Sequence, residues 1–201
     1  MARLDPLTRE TMSEEQRKLC DWFAETIGGD MMATHRTWLR STAFAPHIFH
    51  YAAYLRRRSM DYRKRELVIL IVGRACNAPL EWMDHLPTAR EAGIEEHIIA
   101  ALSEYRLPRF EREDDRILYQ FCVELLNTYR VTDDTFRQAL NAFGDKVVVE
   151  LVAITGLYVT LAMLIGAFDF DAPPGVPMPF RVDVKPNTLM PQPASLADWP
   201  A

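Results

Sequence analysis

Cysteine is scarce. Cys20, Cys76 and Cys122 are the three thiols in 201 residues. They are odd in number and far apart, which excludes a disulfide framework, a CxxC motif or a cysteine zinc pattern and fits a reducing cytoplasm. An excess of positive charge is also missing: 23 Lys and Arg stand against 28 Asp and Glu. A net charge of −5 argues against general nucleic-acid binding, which rests on neutralising phosphates. The N-terminal "MARLDPLTRETMSEEQ" lacks the apolar middle of a signal peptide, and no segment reads as a convincing strand. Charge itself is absent from Leu151 to Phe168, eighteen residues at the threshold for a membrane span. Thr155, Gly156, Thr160 and Gly166 interrupt that run, Glu150 precedes it, and Asp169 and Asp171 close it without a basic flank. The reading is therefore a helix buried on all sides, in a core or a subunit interface, and no membrane partner.

What is present is the mix of an ordinary globular protein, 49% hydrophobic and 25% charged. The expected class is all-α. Ser13 and Gln16 have the spacing of a capping box before "RKLCDWFAETIG", which Gly28 and Gly29 close. Further helical patterns cover about 46–58, 63–76, 79–92, 95–104, 113–129, 132–143 and 146–168. Gly93 and Gly144 sit where left-handed caps end two of them. Beyond Phe168, "DAPPGVPMPFRVDVKPNTLMPQPASLADWPA" is too rich in proline for helix or central strand. Residues 1–171 are thus expected to form one helical domain and 172–201 an extended arm across its own surface or a neighbour's. "ELVILIVG" from Glu66 and "ELVAITGL" from Glu150 echo each other and suggest two similar core helices.

Several residues are candidates for chemistry. Glu66 opens an apolar helix, where it either serves the helix dipole or stands as a screened carboxylate. Glu81 and His85, in "APLEWMDH", fall four apart on one helical face, an arrangement that fixes an imidazole in one tautomer or forms a plain surface pair. Arg56, Arg57, Arg58, Arg63, Lys64 and Arg65 form a basic run, read as a solvated link or as a positive field for a small anionic substrate. His47 and His50 either face a pocket or, with Glu81 and His85, offer metal ligands. Trp82 is a pocket wall or a core filler. Arg74 meets a substrate carboxylate or an ion-pair partner elsewhere. His35 and His97 read as structural or surface histidines.

Glu66, fifteen residues on to Glu81 and four more to His85, within "RELVILIVGRACNAPLEWMDHLPTAREAGI", resembles the carboxymuconolactone decarboxylase family of the alkylhydroperoxidase D-like superfamily. The likeness is strongest over 63–102 and continues more weakly through "VVVELVAITGLYVTLAMLIGAF". In the redox branch of that superfamily a CxxC pair opens the histidine helix. Those positions are Ala78 and Glu81 here, and Cys76 lies two residues outside the motif, so thiol peroxidase chemistry is not expected. "EW" with His85 three residues on resembles the non-redox branch instead.

The resemblance implies an AhpD-like helical bundle, a homo-oligomer, no metal and no cofactor. It also implies a small carboxylated lactone as substrate. His85 is then the proton donor, Glu66 its relay partner and Glu81 an orienter or second acid, with His50, Trp82 and Arg74 contacting substrate. A thiol-dependent alkylhydroperoxidase-like reductase, a lactone hydrolase or isomerase, and a non-catalytic ligand-binding protein are the alternatives.

Overall fold

The computed structural model describes residues 3–170, 175, 178–180, 190–193 and 198–200. Among them every regular element is helical: α1 (Glu14–Thr26), α2 (Ala33–Trp38), α3 (Ala45–Arg57), α4 (Tyr62–Ala75), α5 (Pro79–Glu91), α6 (Glu96–Ser103), α7 (Glu113–Thr128) and α8 (Asp133–Phe168). The chain divides into two compact units, Met1–Ser59 with Leu164–Asp171, and Met60–Met163 with Ala172–Ala201. Residues 1–171, expected as one domain, are shared between them.

Local signals set most helix ends. Ser13 Oγ accepts from Gln16 N at 3.2 Å while Gln16 Oε1 accepts from Ser13 N at 2.9 Å, so two orphan donors of α1 are satisfied reciprocally. At the end of α5, Gly93 has φ +80°, its N–H bonds Arg90 O, and Ile94 N bonds Ala89 O, closing the carbonyls in a Schellman arrangement. Gly144 (φ 78°) is non-helical inside α8, so the two expected patterns, 132–143 and 146–168, meet at a left-handed break. The short α2 has no counterpart in the sequence reading. Its N-cap is Met32, whose N–H is accepted by His35 Nδ1 at 3.1 Å, an unusual cap without the Ser, Thr, Asp or Asn signature.

In the second unit α4 is the central element, packing against α5, α6 and α7. Leu67, Val68, Ile69, Leu70 and Ile71 are fully buried, so this helix is apolar all round because it has neighbours all round. Asp61 caps it by accepting from Lys64 N at 3.0 Å.

The second half of the basic run, Arg63, Lys64 and Arg65, is not a solvated link but lies in the first turn of α4. Arg63 reaches Asp115 at 2.7 Å and Glu95 at 2.5 Å, and Lys64 reaches Asp61 and Asp114 at 2.7 and 2.8 Å. Burial pushes Asp114 up, but Lys64 and Arg112 outweigh it and hold the carboxyl at about 2. Asp61 is the local N-cap, but Asp114, Asp115 and Glu95 are brought in from α7 and the α5–α6 link, which no local pattern displays.

The α8 helix is long and apolar enough to cross a membrane by length and composition, with half of its most apolar window buried. Burial on all sides, in a core or a subunit interface, was expected for 151–168. On the single chain Val149, Val152 and Met163 are exposed, leaving one open face.

The described parts of the proline-rich arm dock on their own chain. Met190 pairs with Asn127 through two hydrogen bonds of 3.0 Å, and Tyr119 Oη donates to Pro191 O at 2.8 Å. Trp199 packs on Phe110 and Tyr119 with centroids 5.8 and 5.9 Å apart. The remainder of 172–201 lies outside the described residues. Trp199→Ala removes both aromatic contacts and is expected to cost about 2 kcal/mol, read as a lower urea midpoint with an unchanged m-value.

Candidate functional site

Three helices of the second unit supply a carboxylate–imidazole–phenol chain whose two ends are buried and whose imidazole is partly exposed. Glu66 comes from the second turn of α4, which begins at Tyr62, and is 2% exposed. His85 comes from the middle of α5, and its Nδ1 lies 2.7 Å from Glu66 Oε2. Tyr158 comes from α8, is equally buried, and its Oη lies 3.3 Å from His85 Nε2. The two rings are perpendicular, at 86°, with centroids 5.3 Å apart.

The rest of the shell fixes Glu66. Arg65 Nε donates to Oε1 at 3.0 Å. Thr88 Oγ1, one turn beyond His85, lies 3.1 Å from Oε2 and 2.8 Å from His85 O, and its single proton serves one of them at a time. Burial works to raise the Glu66 carboxyl, but the hydrogen bond and charge of His85, with Arg65 behind them, outweigh it and leave the group below its usual range.

An ionised carboxylate only accepts, so His85 carries its proton on Nδ1 and donates it to Glu66. This leaves Nε2 as the nitrogen that gains and loses a proton. The arrangement suits proton transfer: a carboxylate that steadies an imidazolium, an imidazole held in one tautomer, and a hydroxyl at its outer nitrogen.

The other sequence candidates are placed as follows. Glu81 is buried one turn before His85 on α5. Trp82 is 1% exposed and meets Phe180 edge-on at 5.5 Å. Arg74 lies eight residues along α4 from Glu66, about 12 Å by helical rise. Its Nε and Nη1 donate to Ser103 O at 3.0 Å and Asn77 Oδ1 at 2.6 Å, and its guanidinium sits 3.9 Å from the Tyr105 ring centroid and 4.3 Å from that of Phe180. This is a cap on the C-terminus of α6, not an ion pair and not a neighbour of the Glu66–His85 pair. His50 belongs to the first unit, exposed, with its ring edge-on to Trp22 at 5.1 Å.

His35 is structural, packed on Phe23 and Phe49 and driven by burial to about 4. His97 is a surface group paired with Glu111 at 3.3 Å. No group of three or more potential metal ligands occurs among the described residues.

Sequence reasoning missed Tyr158 and Thr88, and it read Arg65 as part of a basic run and not as a partner of Glu66. Thr88 had a signal, since it is three residues from His85 on the same helical face. Tyr158 had none, because nothing local distinguishes its hydroxyl from a core aromatic.

A separate cavity of about 210 Å³ lies in the first unit, walled by Leu4, Pro6, Leu7, Ala33, Phe168 and Phe170. Arg36 and Arg40 also border it, but they donate to the carbonyls of Leu7, Met31 and Asp5. Size does not make it the reactive centre, because it contains no acid–base pair. The Glu66–His85 geometry is the better guide.

Two of the thiols, Cys76 and Cys122, are poorly placed for nucleophilic work. Burial pushes Cys76 up to about 11 and Cys122 up to about 12, so the thiolate fraction near neutrality is minute. All three cysteines are unpaired.

No family model matches the sequence, and no curated protein matches it. Solved structures do. An Agrobacterium tumefaciens protein of unknown function, with a suggested role as the antioxidant-defence protein AhpD, is 20% identical with a TM-score of 0.58, covering 65% of this chain and 90% of that one. An uncharacterised peroxidase-related protein from Silicibacter sp. TM1040 is 12% identical with a TM-score of 0.68, covering 85% and 91%. The chain has the all-helical AhpD-like fold.

Proposed function

We propose that this chain is a cofactor-independent proton-transfer enzyme of the carbon–carbon lyase kind, acting on a small carboxylated lactone similar to 4-carboxymuconolactone. The observation that carries the reading is the Glu66–His85 pair at 2.7 Å, with its carboxylate buried. Loss of carbon dioxide from such a substrate leaves its electron pair delocalised onto the lactone carbonyl, so no cofactor is needed as an electron sink. His85, protonated on both nitrogens and steadied by the Glu66 carboxylate, returns a proton from Nε2 to carbon and is left neutral. Solvent then restores it. Glu81 acts as an orienter or second acid. A panel of carboxylated muconolactones, with carbon dioxide release measured apart from ring opening, tests this. Ring opening alone indicates a hydrolase, and no turnover on any member overturns the reading.

A thiol-dependent reductase is the second reading, favoured by the suggested roles of the two structural neighbours. It is disfavoured by the raised Cys76 and Cys122 thiols and by Ala78 and Glu81 at the positions of a CxxC pair. The triple substitution of Cys20, Cys76 and Cys122 by Ser is expected to leave lactone turnover within about twofold, inside the spread of surface changes. Loss of activity in the folded triple variant makes the reductase the better reading. A reducing, cytoplasmic setting accords with three free thiols.

The chain is further proposed to work as a homo-oligomer. Val149, Val152, Gly156, Val159 and Met163 recur at spacings of three and four along α8, the period of a helix-pairing seam. Exposure of Val152 and Met163 on a charge-free stretch, with exposed Val149 just before it, favours a second copy over solvent. Light scattering at micromolar concentration is expected to give a multiple of 23.2 kDa, reduced by Val152→Glu; a wild-type monomer overturns the proposal.

A further inference from the structure

We propose that Tyr158 is the outer member of a Glu66–His85–Tyr158 chain and the group through which a proton passes between His85 and the bound molecule. The inference rests on the proton-transfer reading above and adds the residue that delivers the proton. Nδ1 of His85 is engaged by Glu66 at 2.7 Å. Nε2 is the remaining nitrogen, and the Tyr158 hydroxyl stands 3.3 Å from it. Whatever exchanges a proton with His85 must therefore use that hydroxyl or displace it.

The surroundings show why the hydroxyl needs a role. Tyr158 shares the buried face of α8 with Ile154, Leu157 and Leu161, where a phenylalanine would fill the same volume. A buried phenol requires a polar partner, and this one has the imidazole. The separation is somewhat long for an O–H···N bond, as is common before a substrate draws catalytic groups together.

The step balances. The C–H next to a lactone carbonyl gives its proton to Tyr158 Oη as the phenol proton moves to His85 Nε2. The C–H electron pair becomes the carbon–carbon double bond of a dienolate, with negative charge on the former carbonyl oxygen. His85 becomes an imidazolium against the Glu66 carboxylate. Reversal in heavy water returns a deuteron to carbon.

α-Angelica lactone, a small β,γ-unsaturated lactone, serves as the probe. Its deuterium uptake in heavy water is followed by proton NMR with wild type, His85→Gln and Tyr158→Phe. Wild type is expected to accelerate uptake, and His85→Gln to abolish the acceleration. Tyr158→Phe should lower kcat by about tenfold or more with KM within about twofold. Imidazole nitrogen-15 spectra give an independent reading. Nδ1 keeps its proton in wild type and in Tyr158→Phe, while the Nε2 resonance moves to the unbonded position only in the variant.

No acceleration by wild type overturns the proton-transfer reading and this inference with it. Acceleration that Tyr158→Phe leaves unchanged overturns the role of Tyr158 alone. If the variant does not fold, an Nε2 resonance already at the unbonded position in wild type overturns it equally.

Discussion

Glu66→Gln is expected to lower turnover of a lactone substrate about a hundred- to ten-thousand-fold, the usual contribution of a positioned acid–base group. Glutamine keeps the volume, and its amide oxygen still accepts from His85 Nδ1. Two things change. The negative charge that steadies the imidazolium is gone, and the amide NH₂ now faces Arg65 Nε, which donates to Oε1 in the native chain at 3.0 Å. His85→Gln should fall in the same range, and the double variant should fall little further because the two act as a unit. A wild-type rate in folded His85→Gln removes the relay.

The pair also leaves a signature in acid. Glu66 is held below its usual carboxyl range in the folded chain, so its stabilising contribution is present above the unfolded glutamate value, about 4.3. It is lost as pH falls through the lower folded value. Denaturant titrations from pH 6 downward, comparing wild type with Glu66→Gln, should converge as that contribution disappears.

The largest expected loss of stability comes from Glu124, which has no assigned chemistry. It is 8% exposed. Its carboxylate accepts from Gln120 Nε2 at 2.7 Å, Thr135 Oγ1 at 2.7 Å and Thr132 N at 2.8 Å. It thereby ties α7 to the first turn of α8 and satisfies an orphan donor there. Burial acts to raise this carboxyl, and the bonds from Thr132, Gln120 and Thr135 reverse the shift and lower it. Glu124→Ala strands these donors in a dry site and is expected to cost about 3–5 kcal/mol. For a chain of this length that is a fall in Tm of about 10 °C, read by calorimetry. Glu124→Gln, which retains an acceptor, should lose clearly less. Equal losses in the two variants mean that volume, not the hydrogen bonds, sets the effect.

The sequence by itself determined the features whose causes lie within a few residues. Ser13 and Gln16 write the start of α1 because the capping box is complete in four positions. Gly93 and Gly144 write breaks because positive φ is cheap only for glycine. The all-helical class followed from such signals. Glu66 and His85 were also legible, because their spacing matches a known pattern whose two helices pack as neighbours. The arm was legible as proline-rich, though not what it would touch.

Only the tertiary structure decided the features that depend on distant residues. Tyr158 meets His85 across 73 positions of sequence, and a phenol in an apolar helix looks like core until its neighbour is known. Arg63 finds Asp115 across 52 positions, which makes the second half of a run that reads as a solvated link or a positive field into a set of ion pairs. Arg74 finds a helix end and two aromatic rings where a carboxylate was expected. Which face of α8 stays open on the single chain was decided in the same way: an uncharged helix shows that its sides are apolar, but only packing determines which of them the chain itself covers.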